Sequence, residues 1–110
     1  MADAETTARV VLTTAPDAET GALIARALVE ERLAACVNVI PGVRSIYRWG
    51  GEIQDDPEVV LIVKTRAERC EALAARIQDL HPYDVAEVLV LPALGGSTPY
   101  LAWISAETRP

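Results

Sequence analysis

The sequence predicts an α+β domain: a ferredoxin-like β-α-β-β-α-β sandwich with a four-stranded antiparallel sheet and an extra C-terminal helix. Three observations carry that reading. Short β-branched runs recur at 9–14, 35–49, 58–65 and 85–91, and helical-period segments separate the first run from the second and the third from the fourth. Gly50-Gly51 turns the second run straight into the third. Two right-handed β-α-β units around a central hairpin follow from this order.

RVVLTT at 9–14 is short and apolar in its middle, as a buried strand should be. Thr14-Ala15-Pro16-Asp17 then opens a helix, because proline suits a first turn and the carboxylates of Asp17 and Glu19 favour the positive end of the helix dipole. Leu23, Ile24, Ala27 and Leu28 are its expected buried stripe, with Glu19, Arg26 and Glu30 on the solvated face. Residues 35–40 are apolar, Pro41-Gly42 breaks them and 43–49 alternates, which reads as one long kinked strand. On the return limb, Asp55-Asp56-Pro57 is expected to interrupt pairing before EVVLIVKT at 58–65, a run that reads as buried on both faces. Cys70, Leu73, Ala74, Ile77 and Leu80 repeat at helical spacing and predict a second helix over 66–80, which makes Cys70 a core residue. A fourth strand is expected at 85–91 and a loop at 92–96, after which Ser97-Thr98-Pro99 starts a helix carrying Tyr100, Leu101, Trp103 and Ile104.

Composition narrows the function. A chain of 110 residues suits one domain, read as 9–107 after a flexible N-terminus at 1–8. Such a domain buries roughly 65% of its unfolded surface without metal or disulfide. No apolar run approaches the roughly 18 residues of a membrane span, and MADAETTARV lacks a basic and apolar leader, so the expectation is a cytoplasmic protein with no membrane partner. Ten scattered basic residues against sixteen acidic ones give a net charge of −6 and argue against nucleic acid. Two cysteines far apart in sequence form neither a disulfide scaffold nor a CxxC motif.

Several residues carry two readings each. His81 precedes Pro82, which ends a helix and places an imidazole at the negative end of its dipole; the other reading is a metal ligand whose partners the fold would have to supply. Cys36 is a small buried side chain, or else a soft-metal ligand or reactive thiol. Lys64, Glu58 and Glu87 are ion-paired surface charges or site residues. Tyr47 and Trp49 share a strand face, as interface packing or as a ligand platform. Walker, GxGxxG, GxSxG and HExxH motifs are absent, so no enzyme activity is expected. The doubly apolar third strand, with one short extra helix to cover the second sheet face, predicts a homo-oligomer.

Ala35-Cys36-Val37-Asn38, Pro41-Gly42, Tyr47, Trp49, Gly51, Lys64-Thr65, His81-Pro82-Tyr83, Glu87, Leu91-Pro92, Tyr100 and Trp103 together resemble the CutA divalent-cation tolerance proteins over residues 10–106. The resemblance implies a cytoplasmic homotrimer concerned with copper and other divalent ions. It implies a ligand cleft between subunits built from Cys36, Trp49, Lys64, His81, Tyr83 and Glu87. Of the copper ligands proposed for that family, a first-strand cysteine and two histidines ending the second helix, this chain has Thr13, Leu80 and His81 in the matching places. His81 is therefore the expected metal contact, and Cys36, Trp49, Lys64, Tyr83 and Glu87 the expected binders of an ion or small ligand. The competing readings are a nucleotide-binding trimer similar to the PII signalling proteins, for which a basic phosphate cluster is lacking, and an acylphosphatase-like hydrolase. The latter needs an arginine after the first strand, where this chain has Asp17.

Overall fold

The structure is a computed structural model that describes residues 6–110. Its elements are β1 (Ala8–Ala15), α1 (Ala18–Glu30), β2 (Cys36–Trp49), β3 (Glu52–Arg66), a 3-10 turn (Ala67–Arg69), α2 (Cys70–Leu80), β4 (Leu89–Pro92) and α3 (Thr98–Glu107). The strands form one sheet in the order β2-β3-β1-β4 with every pair antiparallel, so the expected sandwich is what the chain builds. Of the tail expected at 1–8, residues 1–5 lie outside the described residues. Thr6 bonds the Ala93 carbonyl through its amide at 3.2 Å and its hydroxyl at 3.0 Å.

β2 and β3 make a ribbon that outruns the sheet. β1 stops at the Ala15–Val59 pair, while β2 and β3 continue from Val43–Glu58 to Trp49–Glu52. The turn at Gly50 and Gly51 has φ of 61° and 82°, the mirror-image turn that matches strand twist and that side chains resist. Asp55-Asp56-Pro57 does not break β3, contrary to the sequence expectation. Beyond Val59 the β1 side of β3 is open, an edge position where proline is tolerated, and Arg44 clamps Asp55 across the ribbon at 2.7 and 2.8 Å. The irregularity falls instead between Ile40 and Val43, where Pro41-Gly42 makes a register shift.

The core lies between the sheet and helices α1 and α2. Val11, Val59, Leu61 and Val63 from the sheet meet Ile24, Leu28, Leu73 and Ile77 from the helices, and all are buried. Asp17 caps α1 by accepting from the Thr20 amide at 2.7 Å. The buried stripe of α1 is Gly21, Ile24 and Leu28 rather than the one expected, since Leu23 is exposed. Gly21 takes the central place because Val59 leaves no room: an added Cβ would lie 2.9 Å from Val59 Cγ2. Cys70 packs against this core as expected, and burial pushes its thiol pKa up.

β3 is buried on one face, not two. Val59, Leu61, Val63 and Thr65 point under the helices, while Val60, Ile62 and Lys64 alternate onto the opposite face and are only part-buried. The register puts Val10, Leu12, Ile40 and Leu89 on that second face too. α3 covers only one end of it, where Ile104 packs on Ala8 and Ala35. The rest is an apolar sheet face without a helix among the described residues.

Replacing Gly21 by alanine should lower stability by about 1–2 kcal/mol despite alanine's better helix propensity, because the new methyl overpacks against a stiff valine. Urea denaturation of Gly21→Ala, Val59→Ala and the double variant measures it. Additive losses in that cycle would show that the two sites do not clash.

Candidate functional site

The site begins where α2 ends. A residue before proline avoids the helical region, and His81 is extended, with φ −82° and ψ 141°. That turn tucks the imidazole inward until it is 8% exposed. The Tyr83 amide donates to Nδ1 at 3.1 Å, so the hydrogen sits on Nε2, which donates to the Thr14 carbonyl at 2.7 Å. The imidazole therefore replaces a strand in bonding the last part of β1. This is why β4 is shorter than the expected 85–91: pairing reaches only Leu12–Leu89, and Thr14 looks to His81 instead. Gln78 holds the rest of the crossover, donating to the Tyr83 carbonyl at 3.1 Å and accepting from the Ala86 amide at 3.0 Å.

The crossover forms one wall of a cleft of about 520 Å³, and the β2–β3 ribbon forms the other, with Tyr47, Trp49 and Glu58 facing Tyr83, Asp84 and Glu87. The Tyr83 ring lies 4.6 Å from the His81 ring, and its hydroxyl donates to Glu58 at 2.9 Å. Burial, the Glu58 bond and nearby negative charge push the Tyr83 pKa up to about 12, so the phenol keeps its proton. Tyr47 donates to Asp56 at 2.7 Å, which also raises its pKa. Desolvation first and the Glu58 carboxylate second raise the Glu87 pKa above its ordinary 4.5.

The expected site residues fall into two groups within one protomer. Trp49, Tyr83 and Glu87 line the cleft, with His81 behind it as a brace. Cys36 and Lys64 face each other across β2 and β3 on the open sheet face. There the Lys64 ammonium bonds the Asn38 side chain and lies 3.9 Å from Cys36 Sγ. Lys64 is six residues from Glu58 along one strand, about 20 Å, so the groups meet only if separate copies contribute them. His81 was read as a metal contact, yet neither of its nitrogens keeps a lone pair for an ion. Thr13 is fully buried beneath the helices. No group of three or more His, Cys, Asp or Glu side chains that could hold an ion occurs among the described residues. Gln78, Asp56 and Thr14 were missed; a polar residue eight before Ala86 and a strand-end carbonyl leave no motif.

A protein-family model described as "CutA1 divalent ion tolerance protein" matches residues 9–107. The chain belongs to this CutA1 family. It is 50% identical over 99 residues to the Divalent-cation tolerance protein CutA of Thermus thermophilus, covering 90% of this chain and 96% of that one. It is 47% identical over 100 residues to Protein CutA, chloroplastic, of Arabidopsis thaliana, covering 91% of this chain but 55% of that longer protein. Among solved structures, CutA from Xylella fastidiosa superposes with a TM-score of 0.93 at 38% identity over 94% of this chain and 100% of that one. A periplasmic divalent cation tolerance protein CutA from Archaeoglobus fulgidus gives a TM-score of 0.90 at 32% identity over 93% and 99%. The ferredoxin-like order and the CutA1 resemblance read from the sequence are both borne out.

His81→Ala should destabilise the fold by about 2 kcal/mol or more, because it orphans the Thr14 carbonyl and the Tyr83 amide together. Denaturant midpoints measure this, and an unchanged midpoint would remove the brace. Glu87 offers a pH test. A carboxyl whose pKa is raised by folding is held protonated more tightly in the native state, so its ionised form opposes folding at neutral pH. Glu87→Gln should therefore raise the melting temperature at pH 7, with the gain shrinking as pH falls towards 4.5, the ordinary glutamate value.

Proposed function

We propose that the chain acts as a non-enzymatic homotrimer that binds divalent ions, copper foremost, and so supports divalent-cation tolerance in the cytoplasm. The observation that carries the assembly is the second sheet face, where Val10, Leu12, Ile40, Val60, Ile62 and Leu89 have no helix over them. Contiguous apolar surface of this kind marks an interaction site. Both outer strands, β2 and β4, are unpaired edges, and one edge meeting the other head to tail closes into a ring. The family resemblance implies that such a ring would bring the Cys36–Lys64 end of one protomer to another's cleft.

Ion binding rests on donor chemistry and on the family. Cys36 is the soft donor suited to copper, on the open face and half-buried. One protomer lacks a set of three ligating side chains among the described residues, so a side-chain site draws on more than one copy. The Thermus relative's name, divalent-cation tolerance protein, supports the role. Cys36 and Cys70 are free thiols, which suit a reducing compartment, and relatives named for the chloroplast and the periplasm make cell fractionation the deciding measurement of location.

Light scattering should give three chain masses for the unaltered protein and a smaller species for Ile62→Lys. Calorimetric titration should show saturable copper uptake that Cys36→Ser abolishes. A monomer mass would end the trimer, and absent uptake would end the ion reading.

A further inference from the structure

We propose that His81 is an acid-operated latch: protonation of its imidazole at Nδ1 takes away the acceptor of the Tyr83 amide and frees the α2–β4 crossover from the end of β1. The ring does two jobs on two nitrogens. Nε2 donates to the Thr14 carbonyl at 2.7 Å, and Nδ1 accepts from the Tyr83 amide at 3.1 Å. Only the neutral ring can do both, since an imidazolium carries hydrogen on each nitrogen. A proton arriving from solvent at Nδ1 sets two N–H groups head to head, while the Nε2 bond becomes charge-assisted and tightens. The strand end is kept and the crossover is let go.

Release spreads because one side chain couples the neighbouring bonds. Gln78 donates to the Tyr83 carbonyl at 3.1 Å and accepts from the Ala86 amide at 3.0 Å. When the Tyr83 backbone turns away, Gln78 loses one of its two anchors and Ala86 loosens with it. The Tyr83 hydroxyl on Glu58, at 2.9 Å, is then the remaining tie from this part of the crossover to the sheet.

His81 is the only histidine of the chain, and imidazole is the side chain whose charge ordinarily changes between about pH 5 and 8. The ring is 8% exposed, so a change in its hydrogens acts on packed partners and not on solvent. Its surroundings are acidic on every side. Glu58 of β3 is reached through Tyr83, Asp84 and Glu87 stand on the crossover, and Asp56 lies on the ribbon beside Tyr47. On α2 itself Asp79 is paired with Arg76, and the helix presents its negative end. In the proposed trimer, Lys64 of another copy adds a cation. The carboxylates stabilise the imidazolium once it forms, and the cost falls on the Tyr83 amide. Glu87, whose pKa is raised by burial and then by Glu58, is the neighbour whose titration has to be separated from that of the ring.

The unaltered, metal-free protein labelled with nitrogen-15 in its imidazole offers one ring to follow from about pH 8 to 5, and long-range proton–nitrogen spectra read which nitrogen carries hydrogen. Hydrogen should sit on Nε2 alone at the upper end and on both nitrogens at the lower. Exchange protection of the Tyr83 and Ala86 amides, corrected for the intrinsic effect of pH, should fall by about tenfold, the scale of one lost hydrogen bond, with the midpoint of the ring. Amides of the β1–β3 ladder should keep theirs, and the step should persist in Glu87→Gln. A ring that keeps a single hydrogen until the whole chain unfolds, or hydrogen on Nδ1 at the upper end, would overturn the latch. So would Tyr83 or Ala86 protection that does not follow the ring, or a step that disappears in Glu87→Gln. The latch lies within one protomer, so a monomer mass or absent copper uptake leaves it standing, and its failure leaves those readings untouched.

Discussion

The bond from His81 to the Thr14 carbonyl is the interaction on which the functional end of this protein depends. A four-stranded sheet would ordinarily continue β4 beside β1 to its end. Here the imidazole takes over after Leu12, and the chain from Pro82 to Val88 is released to fold outward as one wall of a cleft. The single bond does this because its second nitrogen accepts from the Tyr83 amide, so one rigid ring sets the position of both strand end and crossover. Tyr83 then reaches Glu58 on β3, and the cleft floor is tied to the sheet through two side chains in series.

That arrangement explains why a histidine at a helix end carries an apparently chemical signature without chemical freedom. Helix termination requires only that the residue before Pro82 be extended. An exposed imidazole would satisfy it equally. What distinguishes His81 is burial with both ring nitrogens engaged, and this converts a helix stop into a structural brace. The polar groups that remain turned towards the cleft are carboxylates and phenols; the bond to Asp56 raises the pKa of Tyr47, and burial first, then the neighbouring Glu58, raises those of Tyr83 and Glu87.

Much of the fold was legible because periodicity reports burial directly. The helices, the hairpin at Gly50-Gly51 and the Ser97 cap of α3 follow from local rules that tertiary contacts did not override. The misses share a physical cause. Gly21 lines the core because Val59 needs the space, Pro57 stays in β3 because its neighbour strand has ended, and β4 is short because a side chain took its partner. Each depends on residues far away in sequence. At the site, Trp49, Tyr83 and Glu87 line one cleft. Cys36 and Lys64 lie on the other end of the sheet, a separation that strand geometry sets and spacing alone does not reveal.

The alternation in β3 joins these points. A strand apolar at successive positions must satisfy two faces, and the helices of one chain cover only one of them. α3 could have closed the second face had it lain along the sheet, but Ile104 anchors it at the Ala8 end, leaving Leu12 and Ile62 only part-buried. Lengthening the β2–β3 ribbon does not cover that surface either, because the ribbon extends the sheet in its own plane. The apolar face and the projecting ribbon are thus two halves of one incomplete structure. In the proposed trimer a copy of the chain would supply both complements at once, an apolar face for the face and a free edge for the edge, which no unrelated partner is obliged to offer.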